Sequence, residues 1–296
     1  MIERSIRFGA HGGLIGTLCL PDPAQHESRG APAVGQILFN AGILHRVGPH
    51  RMNVRLARRL AAQGIPSLRF DLSGLGDSAR AGADESYEKQ AVIDLQAAMD
   101  ALGKAAAVDR HALFGFCSGG RNSYAAATVD ERVAGVVLYD TYAYPTPRSR
   151  LNRYRLLARQ HGFFASVAAS LRHRWSRLRD GLPATVGPSG RREPTKSEYA
   201  AWIHGLTARG VDIGVAFSGE GVNYNYREQF ADSLRNLGVA DRVAFAYWPD
   251  MDHSAMGLAA QANFLDWLEG WMVALDARHR RPQTVRVAAN HAAGAP

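Results

Sequence analysis

Leu113-Phe114-Gly115-Phe116-Cys117-Ser118-Gly119-Gly120 is an apolar run that ends with glycines two positions either side of a cysteine. The pattern Gly-x-nucleophile-x-Gly describes a buried strand that turns sharply into a helix and holds the nucleophile, strained, at the tip. Small residues are needed at −2 and +2 because the strand and helix backbones approach closely there. Gly115 and Gly119 fill those places when Cys117 is the nucleophile. Shifting the frame by one to Ser118 puts Phe116 at −2, where its ring would clash, so the cysteine is preferred. The competing reading is a buried strand with a glycine-rich turn, in which Cys117 is a small core residue. The choice turns on whether the rest of the chain supplies partners in a workable order.

A chain of 296 residues is long enough for one large α/β domain or two smaller ones with a substantial core. Its hydrophobic fraction of 46% is ordinary for a globular protein. No stretch reaches the roughly 18 apolar residues of a membrane span, and Met1-Ile2-Glu3-Arg4-Ser5-Ile6-Arg7 lacks a signal-peptide h-region. A cytoplasmic location is therefore expected. Cys19 and Cys117 are the only cysteines, too few for a disulfide framework, and a reducing compartment suits a working thiol. The net charge is +8, but thirteen basic and three acidic residues between Thr141 and Gly210 give that segment +10 on its own. The basic character belongs to one segment, and no nucleic-acid-binding motif accompanies it.

Outward from the elbow, the chain alternates strands and helices. Arg4 to Leu20 reads as an antiparallel pair with Gly12-Gly13 and Gly16. Val34 to Phe39 is a buried strand, and His50 to Gln63 an amphipathic helix with Gly64 as its C-cap. Pro66 to Leu72 is a second buried strand, Tyr87 to Lys104 a helix, His111 to Phe116 the strand of the elbow, Gly119 to Thr128 a helix and Val133 to Tyr139 a strand. The rhythm breaks from Pro145 to about Arg209, where helical periodicity continues without a strand. It resumes with a strand over Val211 to Ser218, a helix over Tyr226 to Leu237, a strand over Val243 to Trp248, and one long or two short helices over Ser254 to Ala277. Such alternation predicts a mostly parallel sheet with helices on both faces. Residues 1–144 and 210–280 form the expected core, 145–209 a basic helical cap, and 281–296 a loosely ordered tail.

The chain resembles an α/β-hydrolase: a leading hairpin, a parallel sheet, an elbow after the third parallel strand, and a helical insert before the last two strands. Phe39-Asn40-Ala41-Gly42-Ile43-Leu44-His45-Arg46-Val47-Gly48-Pro49-His50-Arg51, with Arg69-Phe70-Asp71-Leu72-Ser73-Gly74-Leu75-Gly76-Asp77-Ser78, is similar to one branch. That branch is the serine-aminopeptidase-like hydrolases, including those associated with exosortase and exopolysaccharide systems. This fold hosts many chemistries, so function rests on the site.

A cysteine nucleophile needs a base, a group that orients the base, and donors for the oxyanion. The family order of nucleophile, acid and histidine points to the loop after the last strand, where Trp248-Pro249-Asp250-Met251-Asp252-His253-Ser254 offers His253 as general base. Two carboxylates compete for the third place. Glu220 is preferred, being the only carboxylate in Ser218-Gly219-Glu220-Gly221-Val222-Asn223, where the family usually has an aspartate. Asp140, at the end of the preceding strand, is the alternative. The expected oxyanion donors are the backbone N–H of Ser118 and that of Gly42 or Ile43, as the resemblance implies. His45 and Arg46 are substrate-contact candidates or solvated loop residues, and Asp71, Gly74, Gly76 and Asp77 read as structural.

These residues point to an acyl hydrolase, an esterase or thioesterase working through a Cys117 thioester, with no cofactor and no metal. Acyl transfer to an amine, alcohol or thiol is the first alternative, and a non-catalytic scaffold on the same fold the second. The basic insert reads as a lid whose charge is solvated, or attracts an acyl-carrier protein or the phosphates of coenzyme A, or meets an anionic membrane surface. Nucleic acid is not expected.

Overall fold

The computed structural model describes residues 1–24, 31–39, 42–82, 85–161, 193–219 and 224–280. The opening hairpin pairs β1 (Ile2–Phe8) antiparallel with β2 (Leu14–Leu20), from Ile2 opposite Leu20 to Phe8 opposite Leu14. There follow β3 (Val34–Phe39), α1 (Met52–Ala62), β4 (Ser67–Phe70), α2 (Tyr87–Ala106), β5 (Arg110–Gly115), α3 (Gly119–Val129) and β6 (Val133–Tyr139). The remaining elements are α4 (Pro147–His161), α5 (Lys196–Ala208), β7 (Asp212–Ser218), α6 (Gln229–Ser233), β8 (Ala244–Trp248) and α7 (Leu258–His279). The strands form one sheet in the order β1-β2-β4-β3-β5-β6-β7-β8. β2 is antiparallel to β1 and β4, and the other pairings are parallel.

The strand order dictates where the helices lie. Parallel crossovers are right-handed, so a helix changes face whenever the chain changes its direction across the sheet. The chain steps from β3 outward to β4, then back over β3 to β5, and thereafter onward through β6 and β7 to β8. α1 therefore lies on one face while α2, α3 and α5 lie on the other, and the last helix, α7, joins α1. Two apolar cores result. Leu95, Met99 and Leu102 of α2 pack with Ala126 and Ala127 of α3 and with Ile203 and Leu206 of α5. Leu56 and Leu60 of α1 pack with Phe264, Leu268 and Met272 of α7 on the opposite face. Successive strand residues supply the two sides in turn: Ile37 and Phe39 face the first core, Leu38 the second. Central strands buried on both faces are apolar almost throughout, as in β6, Val-Ala-Gly-Val-Val-Leu-Tyr, which is buried at every position.

Two boundaries differ from the sequence reading. Lys196–Ala208, expected within the cap, is the crossover helix between β6 and β7, capped by a Thr195/Glu198 capping box and burying Tyr199, Ala200, Ile203 and Leu206 in the first core. A parallel connection needs such a helix to cover the sheet, so the core resumes before residue 196. The helix expected over Tyr226 to Leu237 is instead the short α6 followed by a 3-10 turn at Arg235–Leu237. Tyr224 is tied down before it, since its hydroxyl accepts from the Phe230 N–H and donates to the Arg227 carbonyl, each at 3.0 Å. Residues 162–192 of the expected cap and the tail at 281–296 lie outside the described residues. No helix among the described residues is long and apolar enough to cross a membrane.

Candidate active site

The chain leaves β3 toward β4 on one side and leaves β5 toward β6 on the other, so the loops after β3 and β5 diverge. A crevice at the carboxyl ends of the strands opens at such a switch point. Cys117 follows β5 there. Its φ of 52° is left-handed, a conformation that costs a cysteine about 1 kcal/mol or more and persists because the surroundings impose it. Three tight bonds close the turn: Gly119 N–H to Phe116 carbonyl at 2.9 Å, Gly120 N–H to Cys117 carbonyl at 3.0 Å, and Arg121 N–H to Ser118 carbonyl at 3.2 Å. A Cβ on Gly115 would run into the Phe39 ring and lie 2.6 Å from Gly119 Cα. This is the close approach of strand and helix that the glycine spacing implies.

His253 comes from the loop after β8. Asp252 shapes that loop, its carboxylate accepting from the Ser254 N–H at 2.9 Å, the Ser254 hydroxyl at 2.8 Å and the Met256 N–H at 2.8 Å. Burial works to raise the Asp252 pKa, but these bonds outweigh it and hold the carboxyl below the usual aspartate range. The Tyr139 hydroxyl donates to the His253 carbonyl at 3.0 Å. The imidazole lies against Phe116 and Tyr139, with ring centroids 5.4 and 5.9 Å away. The loop after β7 is pressed against the same segment: Gly219 N–H donates to the Met251 carbonyl at 3.0 Å, and a Cβ on Gly219 would overlap the Pro249 backbone.

His253 Nδ1 lies 2.8 Å from Asp140 Oδ2. The same oxygen accepts from the Ser218 hydroxyl at 2.7 Å, and Oδ1 accepts from the Ser218 N–H at 2.8 Å. Asp140 directly follows β6 with a φ of 45°, and its own N–H donates to the Ala216 carbonyl at 2.9 Å, so both its backbone and its side chain are held. Cys117 stands close enough to His253 to act on its ring. The Asp140 carboxylate first, and Cys117 second, push the imidazole up to about 10 against the opposing effect of burial. Cys117, His253 and Asp140 thus stand after β5, β8 and β6, with His253 hydrogen-bonded to Asp140, and Glu220 lies outside the described residues. Cys19 is a contrast, fully buried on β2 with its thiol pushed up to about 11 by burial.

The Gly42 N–H, one of the two expected from the loop after β3, donates to Ser118 Oγ at 3.0 Å. Ile43 is 89% exposed. His45 and Arg46 turn away toward the loop after β4. Arg46 Nη1 pairs with the fully buried Asp71 and lies 2.7 Å from Asp77 and 2.8 Å from His45 Nε2. The Arg46 N–H also donates to Asp71 at 2.6 Å. His45, Asp71 and Asp77 bring three ligand atoms within 4.8 Å of one another, but the Arg46 guanidinium already sits among them, a cation paired with both carboxylates. Gly76 is required beside them, because a Cβ there would collide with the Asp71 carboxylate.

The sequence reading did not single out Ser218, Tyr139 or Asp252. Ser218 follows the apolar run of β7 directly, and Tyr139 is a hydroxyl-bearing residue at the end of an otherwise aliphatic strand. Those positions beside a candidate acid were the available signal.

No protein-family model matches the sequence, and neither does any curated protein. Solved structures do match in fold. An esterase from Thermogutta terrifontis superposes with a TM-score of 0.53 at 18% identity, covering 93% of this chain and 100% of that one. An α/β serine hydrolase without a lid from Xanthomonas campestris gives 0.52 at 16%, covering 95% and 97%. A serine hydrolase homologue from Coxiella burnetii gives 0.51 at 16%, covering 93% and 97%. The chain therefore has the α/β-hydrolase fold.

Proposed function

We propose that the chain is an acyl hydrolase that cleaves esters or thioesters through a Cys117 thioester. The observation that carries this reading is the Asp140–His253 hydrogen bond beside the left-handed Cys117, at the switch point of an α/β-hydrolase sheet. Asp140 holds Nδ1 of the imidazole, which leaves Nε2 to serve the sulfur, the arrangement a nucleophile–base pair needs. The names of the fold neighbours, esterases and serine hydrolases, agree with acyl chemistry.

The steps follow from the charges. The sulfur attacks the acyl carbonyl as the thiolate, the nucleophilic form of cysteine, its proton passing to His253. The carbonyl π pair moves to oxygen, where N–H donors stabilise it. As the oxyanion collapses, the bond to the leaving group breaks and the imidazolium supplies its proton. Acylation caps the Cys117 sulfur, one of the two groups that raise the His253 pKa, so the ring stays unprotonated more readily and is available to take a proton from water. Water adds to the thioester, the acid departs, and the proton returns to the Cys117–His253 pair. Esters and thioesters suit this site, because expelling an amine demands more of the acid. Exposed Arg150, Arg153 and Arg155 on α4 favour an anionic carrier such as an acyl-carrier protein or coenzyme A.

The test is turnover of p-nitrophenyl and coenzyme A esters by the wild type and by Cys117→Ala. Loss of the acylation burst and of turnover in the variant is expected, and equal turnover in the two proteins sinks the reading. Products formed with and without added amine, alcohol or thiol separate hydrolysis from acyl transfer.

A further inference from the structure

Ser118 stands where a helix N-cap stands, yet does not act as one. N-cap serines are usually extended and accept from the N–H two or three residues on. Ser118 is already helical, at φ −58° and ψ −23°, and makes no side-chain capping bond. The elbow imposes this, because Cys117 takes the left-handed turn and Ser118 must enter α3 at once. The hydroxyl is left to reach across the crevice, where Oγ accepts the Gly42 N–H at 3.0 Å. Gly42, at φ +51°, has no atom of the described residues within 4 Å of where a Cβ would be, and its amide points to Ser118.

One of the two loop amides expected to face the substrate oxygen, that of Gly42, is therefore committed to a side chain. A serine hydroxyl has one proton and two lone pairs. One lone pair of Ser118 takes the Gly42 N–H, and its proton has no acceptor among the described residues. We infer that the Ser118 hydroxyl is a catalytic oxyanion donor: Gly42 N–H holds Oγ, and the Ser118 O–H donates to the oxygen that becomes negative when Cys117 adds to the carbonyl. Polarisation by the Gly42 amide makes that O–H a stronger donor than an isolated hydroxyl. Ser118 then supplies two donors, its backbone N–H and its side chain.

This inference rests on Cys117 acylation, and the test separates the two. Acylation by p-nitrophenyl acetate, followed by stopped flow, creates an oxyanion, whereas alkylation by iodoacetamide displaces iodide from a saturated carbon and creates none. Ser118→Ala is expected to slow acylation at least tenfold, the minimum for losing a donor that the freed Gly42 amide partly replaces. The loss appears in kcat with KM little changed, and iodoacetamide alkylation of Cys117 stays within about twofold of wild type. Ser118→Thr, which keeps the hydroxyl, restores most of the acylation rate. Acylation of Ser118→Ala at or above the wild-type rate overturns the inference, as does a Ser118→Thr protein that alkylates normally but acylates no faster than the alanine variant. A wild type that alkylates at Cys117 but never acylates there defeats the hydrolase reading instead.

Discussion

Asp140→Asn changes two atoms and isolates what the carboxylate does for His253. An amide can place its oxygen at either site, but Oδ1 must still accept the Ser218 N–H, now 2.8 Å away. The amide NH2 therefore takes the Oδ2 site and points a donor at His253 Nδ1, 2.8 Å distant. His253 is forced to accept at Nδ1 and to carry its proton on Nε2, facing Cys117, where it cannot take the thiol proton. In a serine triad the corresponding change costs about 10⁴ in kcat. A thiol is already a few per cent ionised near pH 7, which recovers one or two orders of magnitude. The expected loss in acylation rate is about 10²–10³, or about 3–4 kcal/mol of barrier. Stopped-flow acylation with p-nitrophenyl acetate measures it, and NMR titration of the His253 ring supplies a second readout. The carboxylate is the largest cause of the raised His253 pKa, so its midpoint should fall from about 10 toward the ordinary histidine range. An acylation rate within threefold of wild type, with the His253 midpoint unmoved, refutes the assignment of Asp140.

The backbone approach at the elbow, the buried ion pair and the pH dependence give further tests. Gly115→Ala puts a methyl against the Phe39 ring and Gly119 Cα, so Cys117 must shift; acylation should fall more than tenfold even where circular dichroism shows a folded protein. Arg46→Leu strips the cation from fully buried Asp71, a loss of about 3 kcal/mol because two backbone N–H groups still serve the carboxylate. With an unfolding entropy of about 2.1 cal/mol/K per residue, that is a fall of about 5 °C in Tm by calorimetry. The raised His253 pKa also makes stability depend on pH. Its contribution is complete below about 6.5 and is lost as pH rises through about 10, so the urea midpoint should decline over that range more steeply than in His253→Gln.

Much of this fold is legible in the sequence, because central strands buried on both faces leave nearly unbroken apolar runs. Val133 to Tyr139 and Val34 to Phe39 are strands over the expected residues. Gly115 and Gly119 identify the elbow because the need for small residues there is steric and local. The helix at Lys196–Ala208 was hidden by its neighbours: Tyr199, Ile203 and Leu206 are spaced for a buried face, but they follow a segment dominated by arginine. The orienting carboxylate was less legible still. Asp140 and His253 are 113 residues apart and meet only because β6, β7 and β8 are neighbours, while the Ser218 bonds that aim Asp140 depend on β7 lying beside it.

Mass spectrometry of the intact protein, mixed with a panel of acyl coenzyme A thioesters and quenched in acid, tests Cys117 as the nucleophile most directly. The account predicts one added acyl mass per chain, mapped by peptide analysis to Cys117, absent from Cys117→Ala and unaffected by Cys19→Ala. An adduct on Ser118 or another side chain, or one that persists in Cys117→Ala, contradicts it.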